Sequence, residues 1–554
     1  MVGNKKITYP DLLLVENDRA CATIVVAQKP NKKTNVAALD LQNIIKQMTG
    51  VTLPIKHDNE TVEGTLILVG PSRLTTEMGI CQPCGYPDNE RVIVRRTGNR
   101  LVLLGNDDGL FTGTQFAVTM LLERLGCGWF GIDDLWHVIP RKDRISVGYI
   151  NIDVTPRFES RQTWVYHKNR ELALRWYQGG SNKDIEHAYS ILFPREKYFD
   201  KHPEWYCMID GQRDPYKEWW QMCYSNKEVL LNTIKKVGEF FDNNPTYTQA
   251  TLAANDGFFD SFCQCEECKK MGTPSETMVA FANKVAQGLE SKYPDKQLMI
   301  FAYFPTYDPP RKVMPLHKNI VLMFCKESCM FHSVDTGPDC GYHIRYQYDF
   351  GHEHYELPWM ENAKKWIEMT SCKNVAVWEW YCPAAASSVW KDLPWVQGDV
   401  AFRNQLCFER LGARYVYYDQ GPVDGYNDTE KSYPLRWPLW YVAAKGMWDG
   451  RQTASQILMD ACKKLYEEAA DIMFSYYMSL ADINEQCHAK AIAWHMPEPY
   501  EFYTPQAIAR VDRIVKSGNE IIDKVSEAVA LRMKNQFDLW QKAKQVIKNT
   551  ENNG

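Results

Sequence analysis

Short apolar runs and helical-period stretches take turns along most of this chain. Residues 22–27, 65–69, 91–96 and 100–105 read as strands, the last two as a hairpin around Thr97-Gly98-Asn99. Between them, residues 36–48 and 113–125 place apolar side chains at helical spacing and stop at Gly50 and Gly126. After a linker at residues 156–164, strands are expected at 249–255, 298–303, 319–324, 374–379 and 413–419. Helices are expected at 274–291, 358–369, 396–411 and 435–447. Two helix starts carry capping-box patterns, Ser225-Asn226-Lys227-Glu228 and Thr273-Pro274-Ser275-Glu276. Strand followed by helix, repeated this way, is the unit of a parallel α/β sheet or barrel.

These elements divide the chain into three expected regions. Residues 1–152 form a non-catalytic α/β domain, 153–450 a (β/α)8 barrel, and 451–554 a helical region packed outside it. If the strand beginning at Tyr247 is the fourth of the barrel, those beginning near Leu298, Asn319, Asn374 and Ala413 are the fifth to the eighth. Three strand ends then carry a carboxylate: Asp256, Glu379 and Asp419. A barrel holds its reacting groups at that end. Two opposed carboxyls are what glycoside hydrolysis needs, one to donate a proton and one ionised as nucleophile or base. Asp256 and Glu379 are the expected pair, with Asp419 in reserve. Each could instead cap a helix or pair with a cation. Trp378 and Trp380 flank Glu379 and would raise its pKa by apolar surroundings.

Composition narrows the classes. A 45% hydrophobic, 24% charged chain of 554 residues with formal charge −5 is globular and gives no support for nucleic-acid binding. No apolar stretch approaches the roughly 18 residues of a membrane span. The N-terminus lacks a signal-like apolar segment, which leaves a cytosolic protein or one whose export signal is absent from this sequence. The 18 Trp, 30 Tyr and 22 Phe suit stacking on sugar rings as well as core packing. The turn at Gly105-Asn106-Asp107-Asp108-Gly109 lacks the Lys-Ser/Thr ending of a phosphate loop and reads as a plain strand–helix turn.

The 17 cysteines include Cys81-x-x-Cys84 and Cys263-x-Cys265-x-x-Cys268. The second cluster offers three of the four soft ligands of a structural zinc site. Cys325, Cys329 or a histidine would have to complete it in space, and a disulfide or free thiols are the alternatives. No other cofactor is expected.

Several segments carry a family resemblance. Gly105–Gly113, Leu125-Gly-Cys-Gly-Trp-Phe130 and Pro156-Arg-Phe-Glu-Ser-Arg161 resemble the N-terminal half of family 67 α-glucuronidases. Lys197-Tyr-Phe-Asp-Lys-His-Pro-Glu-Trp205 with Gln221-Met-Cys-Tyr-Ser-Asn226 continues that resemblance, and Asn255-Asp256-Gly257 with the cysteine triplet and Asn283-Lys-Val285 resembles the bacterial domain-of-unknown-function family 4838. Part of that family is placed among family 163 glycoside hydrolases, endo-β-N-acetylglucosaminidases. The resemblance covers most of residues 8–480. It implies a barrel enzyme acting on a complex glycan, located in the periplasm or at the cell surface. A substrate acetamide could serve as nucleophile in such an enzyme.

Further expected substrate contacts are Asn255 beside Asp256, Trp164 as a sugar platform, Arg161, His187 and Tyr303, with Trp378 and Trp380. For each of these the plain alternative is a core or structural residue. A carbohydrate-binding protein without catalysis, on the same scaffold, is the alternative function. A metal-dependent hydrolase is disfavoured, because the chain has no His-Glu-x-x-His cluster.

Overall fold

The computed structural model describes residues 11–213, 220–256, 261–326, 329–335, 358–381, 389–419, 433–486 and 497–553. A six-stranded sheet builds the N-terminal part, in the order Asn151–Val154, Val92–Thr97, Arg100–Gly105, Thr65–Val69, Ala22–Val26 and Ile55–His57. The expected hairpin pairs Val92–Thr97 with Arg100–Gly105, antiparallel. The helix Lys32–Thr49 begins one turn earlier than its apolar spacing indicates. Asn31 caps it by accepting from Thr34 N, and Gly50, at φ +79°, ends it.

The turn after Gly105 is occupied by the protein itself. Lys33 Nζ donates to the carbonyls of Asp107, Gly109 and Phe111. Asp107 accepts from Thr114 at both oxygens. That arrangement fits the plain-turn reading.

The central sheet has eight strands: β1 Ser160–Gln162, β2 Gly179–Gly180, β3 Asn182–Lys183, β4 Tyr247–Thr251, β5 Gln297–Ala302, β6 Ile320–Cys325, β7 Val375–Glu379 and β8 Ala413–Tyr418. Their spatial order is β2-β1-β8-β7-β6-β5-β4-β3. Every neighbouring pair is parallel except β2 with β1. The two edge strands, β2 and β3, are separated in the chain by Ser181 alone, so the sheet is curled. Gly180 sits at φ +102°, where a Cβ would lie 2.1 Å from the Glu159 carbonyl oxygen, so only glycine fits this corner. The curl departs from eight equal strand–helix repeats. Between β1 and β2 stand only the short helices Trp164–Lys168 and Arg170–Arg175.

Longer helices cover the outer face. Pro274–Glu290 starts at the expected capping box of Thr273 and Glu276. Lys227–Asn243 does not start as expected: Asn226, rather than Ser225, caps it, accepting from Glu228 N and Val229 N. Trp359–Thr370, Gly398–Arg410 and Trp437–Trp448 follow. The tail is helical but broken into Ala454–Tyr466, Ala470–Glu485, Pro505–Asn519 and Glu527–Asn553. Among the described residues, no helix is long and apolar enough to cross a membrane.

Buried and partly buried ion pairs join the part of the chain that holds the N-terminal sheet to the part that holds the central sheet. Arg161 Nη2 lies 2.6 Å from Glu90 Oε2, both side chains buried, and the guanidinium also covers the Trp448 ring. Arg175 pairs with Asp40, and Lys445 with Glu123. In the tail, Arg532 donates to the carbonyls of Leu135 and His137.

Candidate active site

The pleat of the central strands separates two environments. Met299, Phe301, Val321, Met323, Ala376 and Tyr415 meet on the inner face, with Tyr303, Trp378 and Tyr417 packed on them. Their alternates, including Ile300, Leu322, Val377 and Tyr418, join the main core beneath the helices. Any group meant for a ligand at the strand ends must belong to the inner set.

Asp256 meets that condition. Beyond β4 the chain runs on through Leu252–Asn255 to a half-exposed Asp256 carboxylate. His187 Nε2 lies 3.3 Å from Asp256 Oδ1, while its Nδ1 donates to the Ala254 carbonyl. Burial alone would raise the Asp256 pKa. The hydrogen bond and charge of His187, with a hydrogen bond from Tyr303, outweigh it and hold the carboxyl below the usual aspartate value. For His187, burial pulls the pKa down. Asp256 and the Ala254 carbonyl outweigh it, so the imidazole titrates above its usual value. With His187 protonated, the two form an ion pair at the mouth of the sheet.

Asp419 follows β8 on the same inner set. Trp378 Nε1 donates to its Oδ2 at 3.0 Å, and its backbone N–H donates to the Glu379 carbonyl. Aromatic rings bridge the two acids. His187 stands edge-on to Phe301, Phe301 to Trp378, and Trp378 to Tyr417, at centroid distances of 5.7, 5.5 and 4.6 Å.

Glu379 does not face Asp256, contrary to expectation. It follows Trp378 on β7 and therefore points to the outer face, fully buried beneath the helix Gly398–Arg410. Its Oε1 lies 2.7 Å from Lys326 Nζ, also fully buried. Burial pushes its pKa up to about 7 against the pull of Lys326. The raised pKa agrees with the expectation, and its cause is burial. Trp378 lies on the opposite face, whereas Trp380 packs on the main core, on the same side as Glu379.

Other expected contacts are also committed elsewhere. Asn255 does not reach outward: its amide donates to the Trp220 carbonyl and accepts from Ser190 N, while Gln221 bonds its backbone N–H and carbonyl. Arg161 is spent on Glu90 and on the carbonyls of Tyr177 and Phe158, so it cannot read a sugar. Trp164 opens a short helix, and its side chain lies outside the described residues, as do Gly257, Asp260, Gln420 and Gly421. His352 and His354, a His-x-His pair in the sequence, also lie outside them.

The structure adds Phe301 and Lys326, which no motif singled out. Phe301 was detectable as an inner position two residues before Tyr303. The role of Lys326 depends on Glu379, which is remote in sequence, and no local pattern reports it.

Among the described residues, the side chain gathered with the cysteine triplet is Cys223, rather than Cys325, Cys329 or a histidine. The four sulfurs of Cys223, Cys263, Cys265 and Cys268 lie within 4.8 Å of one another. Cys329 instead contacts His332, at 3.3 Å.

Comparison with solved structures finds glycoside hydrolases at low identity. A family 138 enzyme targeting pectin rhamnogalacturonan II aligns at 10% identity over 96% of this chain and 69% of its own, with a TM-score of 0.40. A Streptomyces plicatus β-hexosaminidase in complex with GlcNAc aligns at 12% identity over 83% and 93%, at 0.41. A Clostridium perfringens family 89 enzyme in complex with GlcNAc-α-1,4-galactose aligns at 7% over 90% and 59%, at 0.47. No curated protein matches the chain. One family profile does match, over residues 134–478, and by that match the chain belongs to the family described as Domain of unknown function (DUF4838).

Proposed function

We propose that this protein is a glycoside hydrolase acting on a complex glycan, with Asp256 and Asp419 as its two carboxylates. The observation that carries the reading is their shared placement. Both follow inner-face strands of the curled sheet, bridged by an aromatic surface that suits a sugar ring. The curled sheet is read here as a (β/α)8-type barrel, whose chemistry belongs at this end. Asp256, held ionised by His187 and Tyr303, suits a nucleophile, a base or a group that orients a substrate acetamide. Asp419 then serves as proton donor, with Trp378 fixing its position. An endo-acting β-N-acetylglucosaminidase is the finer form of this proposal. Glu379 has no contact with the reacting sugar in it.

The test is a glycan panel that includes N-glycans, with release of new reducing ends as the readout. The wild-type chain should cleave at least one member. Asp256→Asn and Asp419→Asn should each lower kcat by about 10²–10⁴-fold, the usual contribution of a positioned acid or base. Binding without cleavage across the panel would favour the carbohydrate-binding alternative. Normal turnover in Asp256→Asn would reject the mechanism.

A further inference from the structure

We propose that Cys223, Cys263, Cys265 and Cys268 form a four-thiolate site for a structural zinc ion, which braces the chain on both sides of Asp256. Cys223–Cys265 and Cys223–Cys268 sulfur separations are 3.7 and 3.9 Å. Four sulfurs at the usual Zn–S distance of about 2.3 Å, tetrahedrally arranged, lie about 3.8 Å apart. A disulfide would require about 2.05 Å, and all four cysteines are unbonded. The spacing therefore matches ligands gathered round one ion. An all-sulfur tetrahedral set is also the set that selects zinc among the hard and borderline divalent cations.

The surroundings fit a group of thiolates. Met208 N donates to Cys263 Sγ at 3.3 Å, and Arg213 Nη1 approaches the same sulfur at 4.0 Å. Ser225 Oγ lies 3.4, 3.5 and 3.2 Å from the sulfurs of Cys223, Cys265 and Cys268. This contact explains why Ser225 does not cap its helix. Cys223, Cys263 and Cys268 are buried, and Cys265 is partly exposed at the rim. Thiolates packed this closely repel one another unless a cation lies between them, and neighbouring donors of this kind tune and orient metal ligands.

The ion would join two segments that flank the proposed catalytic carboxylate. Trp220 and Gln221, just before Cys223, hold Asn255 by its side chain and backbone. The triplet follows on the other side of Asp256 and leads into the short helix Glu266–Met271. This inference does not depend on the glycosidase reading, because metal content is measured without any substrate.

The experiment uses the full chain, purified in reducing buffer and analysed for metals. About one zinc per chain is expected. It should be released by a thiol-blocking mercurial and replaced by cobalt(II), which gives the absorption bands of tetrahedral thiolate cobalt. Cys223→Ser and Cys265→Ser should lose the metal. Cys265→His should retain it, since zinc accepts three cysteines and one histidine. Cys81→Ser, at an exposed cysteine outside the cluster, should behave as wild type. If a serine variant fails to fold, the zinc content and cobalt spectrum of the wild type decide the matter. Zinc below about a tenth of an equivalent with no cobalt spectrum would overturn the proposal. So would a disulfide among these four cysteines in the native chain, iron in place of zinc, or full zinc retention in Cys223→Ser.

Discussion

Trp378 and Glu379 are neighbours in the chain, and their side chains leave β7 on opposite faces. The indole reaches inward to Asp419 at 3.0 Å, and the carboxylate reaches outward to Lys326 at 2.7 Å. One residue of pleat thus separates a group at the candidate site from a group inside the core. The same step is the reason the proposed function takes Asp419, not Glu379, as its second carboxylate.

Trp378→Phe is expected to keep the ring and remove the donor to Asp419. A hydrogen bond to a neutral, protonated carboxyl contributes about 0.5–1.5 kcal/mol, so kcat should fall roughly 2- to 10-fold with little change in KM. Steady-state kinetics on a cleaved glycan measure this. An unchanged kcat would detach Asp419 from the reaction.

Glu379→Gln is expected to act on stability. Removing one partner of a buried ion pair leaves an uncompensated charge and costs about 3–5 kcal/mol. Replacing both, as Lys326→Met with Glu379→Leu, should recover much of that loss. Urea denaturation of the single and double variants tests the coupling. Additive losses would reject it.

The His187–Asp256 pair predicts a pH window. Asp256 has a lowered folded pKa, so its contribution is present above the unfolded value and lost as pH falls through the folded one. His187 has a raised folded pKa, so its contribution is complete below the unfolded value and lost as pH rises through the folded one. The difference in Tm between wild type and His187→Gln should therefore be largest between about pH 4 and pH 6.5. It should shrink in both directions, and a flat difference would mean the pair is not charged.

Arg161→Ala is expected to loosen the N-terminal sheet from the central sheet. It strands the buried Glu90, whose pKa burial already raises. The cost should be about 3–5 kcal/mol, with faster proteolysis between the two parts. Glycan affinity measured on the folded fraction should be unchanged, since Arg161 is fully buried. Lost affinity in that fraction would return Arg161 to the substrate.

The sequence by itself determined most of the longer strands and helices and their order, but not β2, β3 or the short helices between β1 and β2. Hydrophobic period separates strand from helix, and Thr273-Pro274-Ser275-Glu276 marks a helix start by local hydrogen bonding alone. It also placed Glu379 and Asp419 at strand ends, whereas the strand before Asp256 stops at Thr251 instead of reaching residue 255. It could not say which way Glu379 points. Val375-Ala376-Val377-Trp378-Glu379 is apolar on both sides up to its last residue, because a covered parallel strand is buried on both faces, so alternation carries no inside or outside label. Only the tertiary structure decided that, by setting the pleat of β7 against β6 and β8. It alone also chose partners distant in sequence: Glu90 for Arg161, Lys326 for Glu379, and Cys223 for the cysteine triplet. Such pairings depend on how separate segments pack, and no local period or spacing encodes them.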